Sequence, residues 1–156
     1  MNGAMKVEQK LEALGFKLDD LMAPAGNYVG AVQTGNLLFV AGHGPHVGGK
    51  IAMTGRVGGD LTLEQGYEAA RITAVSCLRS AKQAIGDLDR VKRVVKVLGM
   101  VNCTEGFVDT PKVINGCSDL LVELYGEAGR HARSAVGMQQ LPNNIPVEVE
   151  MVLEVE

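Results

Sequence analysis

The sequence predicts an α+β domain. Six strands form one mixed sheet, two long helices cover one face of it, and a short helix precedes them. Three observations lead there. The last segment alternates without a break: Val147, Val149, Met151, Leu153 and Val155 fall on one side, Glu148, Glu150, Val152, Glu154 and Glu156 on the other, which is the period-two signature of a strand with one buried face. Two stretches instead repeat apolar residues every three or four positions, as a helix with one buried stripe does. Between those helices lies a Val-rich run, Val91 to Val101, that reads as a long strand.

The elements follow in order. Residues 6 to 14 suggest a short helix with Val7, Leu11 and Leu14 on one side, stopped by Gly15. Tyr28 to Val32 and Leu37 to Ala41 read as two strands joined by a hairpin-like QTGN connection, and a third strand includes Lys50 to Met53 or Arg56 and Val57. Thr62 and Gln65 have capping-box spacing. The stripe Leu63, Tyr67, Ala70, Ala74, Leu78, Ala81 and Ile85 follows, and Gly86 ends the helix. Thr110 and Pro111 suggest an N-cap with proline at the first helical position. The buried face of this second helix is Val113, Ile114, Cys117, Leu120, Leu121, Leu124 and Tyr125, and Ala132 to Val136 is a short strand after it. Two helices connecting strands cover one sheet face and leave the other bare. A sheet face left bare is expected to be covered by association with further copies.

Composition narrows the function. The 156 residues, 46% hydrophobic and 21% charged, make a single domain over residues 1–156 with a core of its own. The formal net charge of -3 gives no footprint for a nucleic acid, and the one basic run, DRVKRVVK (Asp89 to Lys96), alternates with apolar residues as the outer side of a strand would. No membrane span is expected. Cys77, Cys103 and Cys117 are widely spaced, and the opening MNGAMKVEQKLEALG is too charged for a secretory core, so a reduced, cytoplasmic setting is expected.

One motif invites a nucleotide reading and does not support it. GPHVGGKI (Gly44 to Ile51) places Gly44, Gly49 and Lys50 on the register of a phosphate-binding loop. Such a loop needs a helix behind it to present amides to the phosphate. Here IAMTGRVGGD follows, and Ile51 stands where a metal-binding hydroxyl belongs. The alternative is a glycine-rich hairpin connection. His43 and His46 are three apart with no nearby carboxylate or thiol, so no metal site is expected. His43 directly follows a buried strand and is within reach of a pocket, whereas His131 is set at the surface.

Arg133 carries more. Along its strand it shares a face with Ala135 and Gly137, opposite Ala132, Ser134 and Val136. Small neighbours leave room for a carboxylate to meet the guanidinium in a two-bonded fork. The alternative is an arginine paired with a glutamate of the last strand.

The chain resembles the Rid family, also called the YjgF/YER057c/UK114 family and often labelled endoribonuclease L-PSP. The resemblance starts at APAGNYVGAVQTGNLLFVAGHGP (Ala23 to Pro45) and closes at ARSAVG…LP…VEVE, with an Arg-Ser pair, a later Leu-Pro and a Glu-x-Glu strand. It implies a chorismate-mutase-like (YjgF-like) fold and a homotrimer whose ligand pockets lie in clefts between subunits. It also implies hydrolysis of reactive enamines and imines such as 2-aminoacrylate to 2-keto acids and ammonia, with a small carboxylate as ligand and no cofactor. By the same resemblance Arg133 holds the substrate carboxylate and Glu148 positions or activates water. Tyr28, Gly42, Asn115 and Ser134 fall at the pocket, and His43 stands in a slot often held by Gln. The chain departs from the family's deaminating subgroup at Ala135, where that subgroup has Cys. Glu148 also reads as one member of a solvated glutamate row, and Tyr28 as a packing residue. Three functions stay open: an imine or enamine hydrolase, a non-catalytic binder of keto or amino acids, and an endoribonuclease.

Overall fold

The computed structural model describes residues 5–21 and 23–156. Helix α1 (Val7–Ala13) leads. Strands β1 (Ala31–Thr34), β2 (Leu37–His43), β3 (His46–Val47) and β4 (Lys50–Ile51) follow, then α2 (Leu63–Ile85), β5 (Val91–Asn102), α3 (Thr110–Tyr125), β6 (Ala132–Met138) and β7 (Val147–Val155). The main sheet has five strands in the order β1-β2-β7-β5-β6, so it is not six-stranded, and β3 pairs with β4 in a separate two-stranded ribbon. β5 and β6 are parallel and the other pairs antiparallel, which makes the sheet mixed. The last strand in sequence thus becomes the middle of the sheet, clamped between β2 and β5.

The stretch 50–57 supplies no strand to the main sheet. Gly48 and Gly49 turn at φ 60° and 72°, a left-handed pair that suits a tight hairpin and that glycine adopts without strain. Lys50 therefore starts a two-residue return strand, and its backbone cradles no phosphate. Val57 makes only isolated bridges, to Leu61 and Cys103. The first sheet strand likewise begins at Ala31, three residues beyond Tyr28.

α2 forms where its stripe and its cap agree. Thr62 Oγ1 accepts from the Gln65 amide at 3.1 Å, and the Gln65 side chain accepts from the Thr62 amide at 2.9 Å. Thr62→Ala is expected to lower stability by about 1 kcal/mol, the usual worth of an N-cap; urea denaturation checks it, and no change would mean the cap is idle. α2 is buried on more than one side. Its stripe meets the sheet, while Ser76, Arg79 and Ser80 are buried as well. Arg79 donates to the carbonyls of Lys17 and His46 at 2.7 and 2.9 Å, tying the chain before β1 across the helix. α3 begins at Thr110, so Thr110 is not the cap. Its hydroxyl donates instead to the Ala135 carbonyl at 3.1 Å, fastening the helix to β6. Pro111 sits in the first turn, where no amide is missed.

The core lies between the helices and one sheet face: Leu38 and Val40 of β2, Val94, Val97 and Val101 of β5, and Val147, Val149, Met151 and Leu153 of β7. Each such side chain contributes roughly 1.5–3 kcal/mol on burial. α1 docks beside α3 through Val7 and Leu11, while Leu14 is exposed and caps the helix instead of packing. On the opposite sheet face Val32, Phe39 and Val136 stand exposed, and Val32 and Phe39 line, with Leu98, Val152 and their neighbours, a groove of about 520 Å³. No described residue of the chain covers that face. None of the described helices is long and apolar enough to cross a membrane.

Candidate functional site

β6 is an edge strand, and its parallel register on β5 fixes which way Arg133 faces. Arg133 sits opposite Val97 and Ala135 opposite Gly99, both buried under the helices. Arg133 therefore lies on the helix side of the sheet. There α3 meets it: one guanidinium nitrogen (Nη1) donates to Asn115 Oδ1 at 2.8 Å and to Ser118 Oγ at 3.1 Å. Asn115 and Ser118 are one turn apart, so one helical face presents both. Among the described residues no carboxylate forms an ion pair with Arg133, which removes the alternative of pairing with the last strand. Asp119 lines the same cavity, but its carboxylate accepts the Tyr67 hydroxyl at 2.7 Å. The result is an open cavity of about 410 Å³ lined by Asn115, Ser118, Asp119, Val122, Arg130, His131 and Arg133. A guanidinium held by neutral partners keeps its full charge for a ligand.

His131 belongs to this cavity and is not a surface residue. It is half-buried, with Nδ1 against the Gly129 carbonyl at 2.7 Å and Nε2 against Ser118 Oγ at 2.9 Å. Burial, and the Arg133 charge, lower its pKa from the ordinary value. Two signals pointed here: His131 stands two residues before Arg133, and Ser118 three after Asn115.

Glu148 lies on the other face. In β7 it pairs with Met100, while its neighbours Val147 and Val149 point into the core. Gly42 of β2 makes room for it: a side chain at Gly42 would place its Cβ 2.8 Å from a Glu148 carboxylate oxygen. Glu148 is half-buried, unlike the exposed Glu150 and Glu156 of the same row. A carboxylate beside Arg133 would have its pKa lowered. Glu148 instead has its pKa raised, by burial and then by the neighbouring Glu150 charge.

The remaining candidates divide in the same way. Ser134 lines the bare-face groove with Leu98 and Glu150. Ala135 lies on the helix side with Arg133, its carbonyl taken by Thr110. His43 turns toward α2: Nδ1 meets the Ala41 carbonyl, and Nε2 lies 2.7 Å from Ser80 Oγ. A carbonyl only accepts, so Nδ1 carries the proton and Ser80 donates to Nε2. Burial lowers the His43 pKa, which favours the neutral ring. Tyr28 is exposed before β1, and its hydroxyl oxygen accepts the Ala25 amide at 3.4 Å. Within one chain, then, Arg133, Asn115 and Ala135 share the helix side, whereas Glu148, Gly42 and Ser134 share the bare side.

Comparison with known proteins places this geometry. A family model described as "YjgF/chorismate_mutase-like, putative endoribonuclease" matches residues 8–155. Protein TCP17 of Trypanosoma cruzi is 46% identical over 152 residues, covering 96% of this chain and 94% of that one. The crystal structure of Atu1372 from Agrobacterium tumefaciens is 43% identical, with a TM-score of 0.90 over 96% of this chain and 92% of that one. Escherichia coli TdcF, solved with bound serine, is 18% identical with a TM-score of 0.63 over 88% of this chain and 94% of that one, a likeness of fold.

Proposed function

The chain belongs to the YjgF/chorismate-mutase-like family, and from that premise we propose that it hydrolyses carboxylate-bearing imines and enamines to 2-keto acids and ammonia. The observation that carries this reading is the Arg133 guanidinium, which opens on a cavity with only neutral partners. A small carboxylate there gains a charge-assisted fork that no protein group already occupies. An enamine such as 2-aminoacrylate first becomes the imine by moving a proton to carbon. Water then adds to the C=N carbon and gives up a proton. The C–N bond of the resulting aminoalcohol breaks, its hydroxyl becomes the keto oxygen, and the nitrogen leaves as ammonia. Glu148 suits the proton steps, since a carboxyl with raised pKa can both take and return a proton nearer neutral pH.

Arg133 and Glu148 occupy opposite faces of one sheet, so we assign them to one pocket only across two copies of the chain. The bare face, with Val32, Phe39 and Val136 exposed, suits a homotrimer with clefts between subunits. The test is ammonia and keto-acid release from enzymatically generated 2-aminoacrylate, with the intact chain and with Arg133→Ala. Acceleration that vanishes in the variant supports the reading; no acceleration by the intact chain ends it for that substrate. Gly42→Ala adds a second check. Its new methyl meets the flexible end of Glu148 and not backbone, so the fold is expected to persist while turnover falls about tenfold or more, as misplacing a catalytic group by an ångström does. Equal turnover would remove Glu148 from the chemistry.

Ala135 favours a second reading, a binder of keto or amino acids without turnover, because the position two residues after Arg133 carries no thiol. It predicts Arg133-dependent binding and no ammonia release. The net charge of -3 does not favour RNA as a substrate.

A further inference from the structure

The hydrogen bonds behind Arg133 allow only one assignment of protons. The Gly129 carbonyl can only accept, so His131 Nδ1 carries a hydrogen. Arg133 can only donate, so Ser118 Oγ accepts from it. The Ser118 hydrogen is then free to fill His131 Nε2, 2.9 Å away. Each hydrogen along this chain from Arg133 through Ser118 and His131 to Gly129 meets an acceptor while the imidazole is neutral. A proton on Nε2 undoes this: the ring nitrogen becomes a donor, the Ser118 hydrogen loses its acceptor, and two cations are left bridged by one hydroxyl oxygen.

A carboxylate entering the cavity changes the balance. It occupies the free N–H groups of Arg133 and neutralises the charge that opposes a proton on His131. We infer that His131 is coupled through Ser118 to Arg133, so that the pocket takes up a small carboxylate together with a proton. His131 is a positioning residue, acting on the ligand through Arg133. The inference rests on the reading of Arg133 as the carboxylate anchor, and it adds proton-linked regulation of that site.

The other charged groups around the cavity are Asp119 of α3 and Arg130, with Glu127, of the turn before β6. Asp119 is engaged by the Tyr67 hydroxyl, and Arg130 pairs with the exposed Glu127 at 3.1 Å. Neither bonds to His131. The sign follows from linkage. Binding raises the His131 pKa, so affinity rises as pH falls through the pKa of the bound form and levels off below that of the free form. Burial and the Arg133 charge lower the free value from that of an ordinary imidazole, so the lower edge of the window is shifted toward acid.

The experiment is calorimetric titration of the full chain with pyruvate at about pH 5 to 8, a range in which the probe stays ionised. It is repeated with His131→Gln, Ser118→Ala and Arg133→Ala, and nitrogen NMR follows the His131 ring. The intact chain is expected to bind about tenfold more tightly at the acid end, the effect of a one-unit rise in the His131 pKa. His131→Gln is expected to flatten the profile. An unchanged profile in His131→Gln, with binding that still needs Arg133, overturns the coupling alone. Binding as tight in Arg133→Ala, or none by the intact chain, overturns the anchor reading and with it the carboxylate uptake. The ligand-free chain gives an independent arm. Titrating His131 should move the Arg133 guanidinium resonances in the intact protein and not in Ser118→Ala; no movement in the intact protein overturns the relay whatever pyruvate does.

Discussion

Gly116→Ala is expected to destabilise the chain by about 3 kcal/mol, at the upper end of what overpacking does. That corresponds to a fall in melting temperature of roughly 6–12 °C for a domain of this size. Gly116 sits on the buried side of α3, where α2 crosses it. A Cβ built there stands 2.0 Å from the Tyr67 carbonyl oxygen, 2.9 Å from its carbon and 3.2 Å from the Ala70 methyl. The obstacle is backbone of a long, capped helix, so it cannot turn aside as the end of a side chain can. The helices must separate, and the Cys117, Leu120 and Leu121 contacts loosen with them. Because packed interiors have no slack at this scale, the loss reaches beyond one methyl. Thermal and urea unfolding give the number. A loss below about 1 kcal/mol, within the ordinary range for point mutants, would show that the helices do not pass this closely.

The same residues show what a sequence can disclose. α2, α3, β5 and β7 were legible because their signals are local. Thr62 and Gln65 cap one helix, apolar stripes mark two, and β7 alternates over its whole length. The ribbon of β3 and β4 was not, because two-residue strands have no period to read; only Gly48 and Gly49 announce the turn. Strand order was hidden for a different reason. Nothing inside β7 says that β2 and β5 flank it, since pairing is decided by partners far away in sequence. The site suffered from that gap. Alternation put Arg133 with Ala135 and Gly137, but which sheet face they share is set by Val97 and Gly99 across the strand pair. A connection containing a short helical turn separates β6 from β7, so counting from Arg133 to Glu148 carries no information about face. His131 was misplaced at the surface because its partners, Ser118 and the Gly129 carbonyl, become neighbours only when α3 folds back on β6.

If the anchor and the proton-transfer group meet only across two copies, two dead variants should revive each other. Arg133→Ala and Glu148→Gln are each expected to lower imine hydrolysis about 30-fold or more, since losing one partner of a desolvated charged contact costs about 2–5 kcal/mol. Produced together in equal amounts and assembled at random, they should recover about one quarter of the intact activity. In a ring of heterologous contacts that is the fraction of clefts receiving an intact Arg133 from one copy and an intact Glu148 from its neighbour. The recovery is large against the background of either variant alone, so it is read easily from ammonia release. Mixtures assembled separately and combined without exchange should recover nothing. Were both residues supplied by one chain, every cleft would hold one defect, and co-assembly would stay at the level of the separate variants. The register argues for the first outcome. Val97 opposite Arg133 and Met100 opposite Glu148 differ by an odd step along β5, and an odd step along a strand is a change of face.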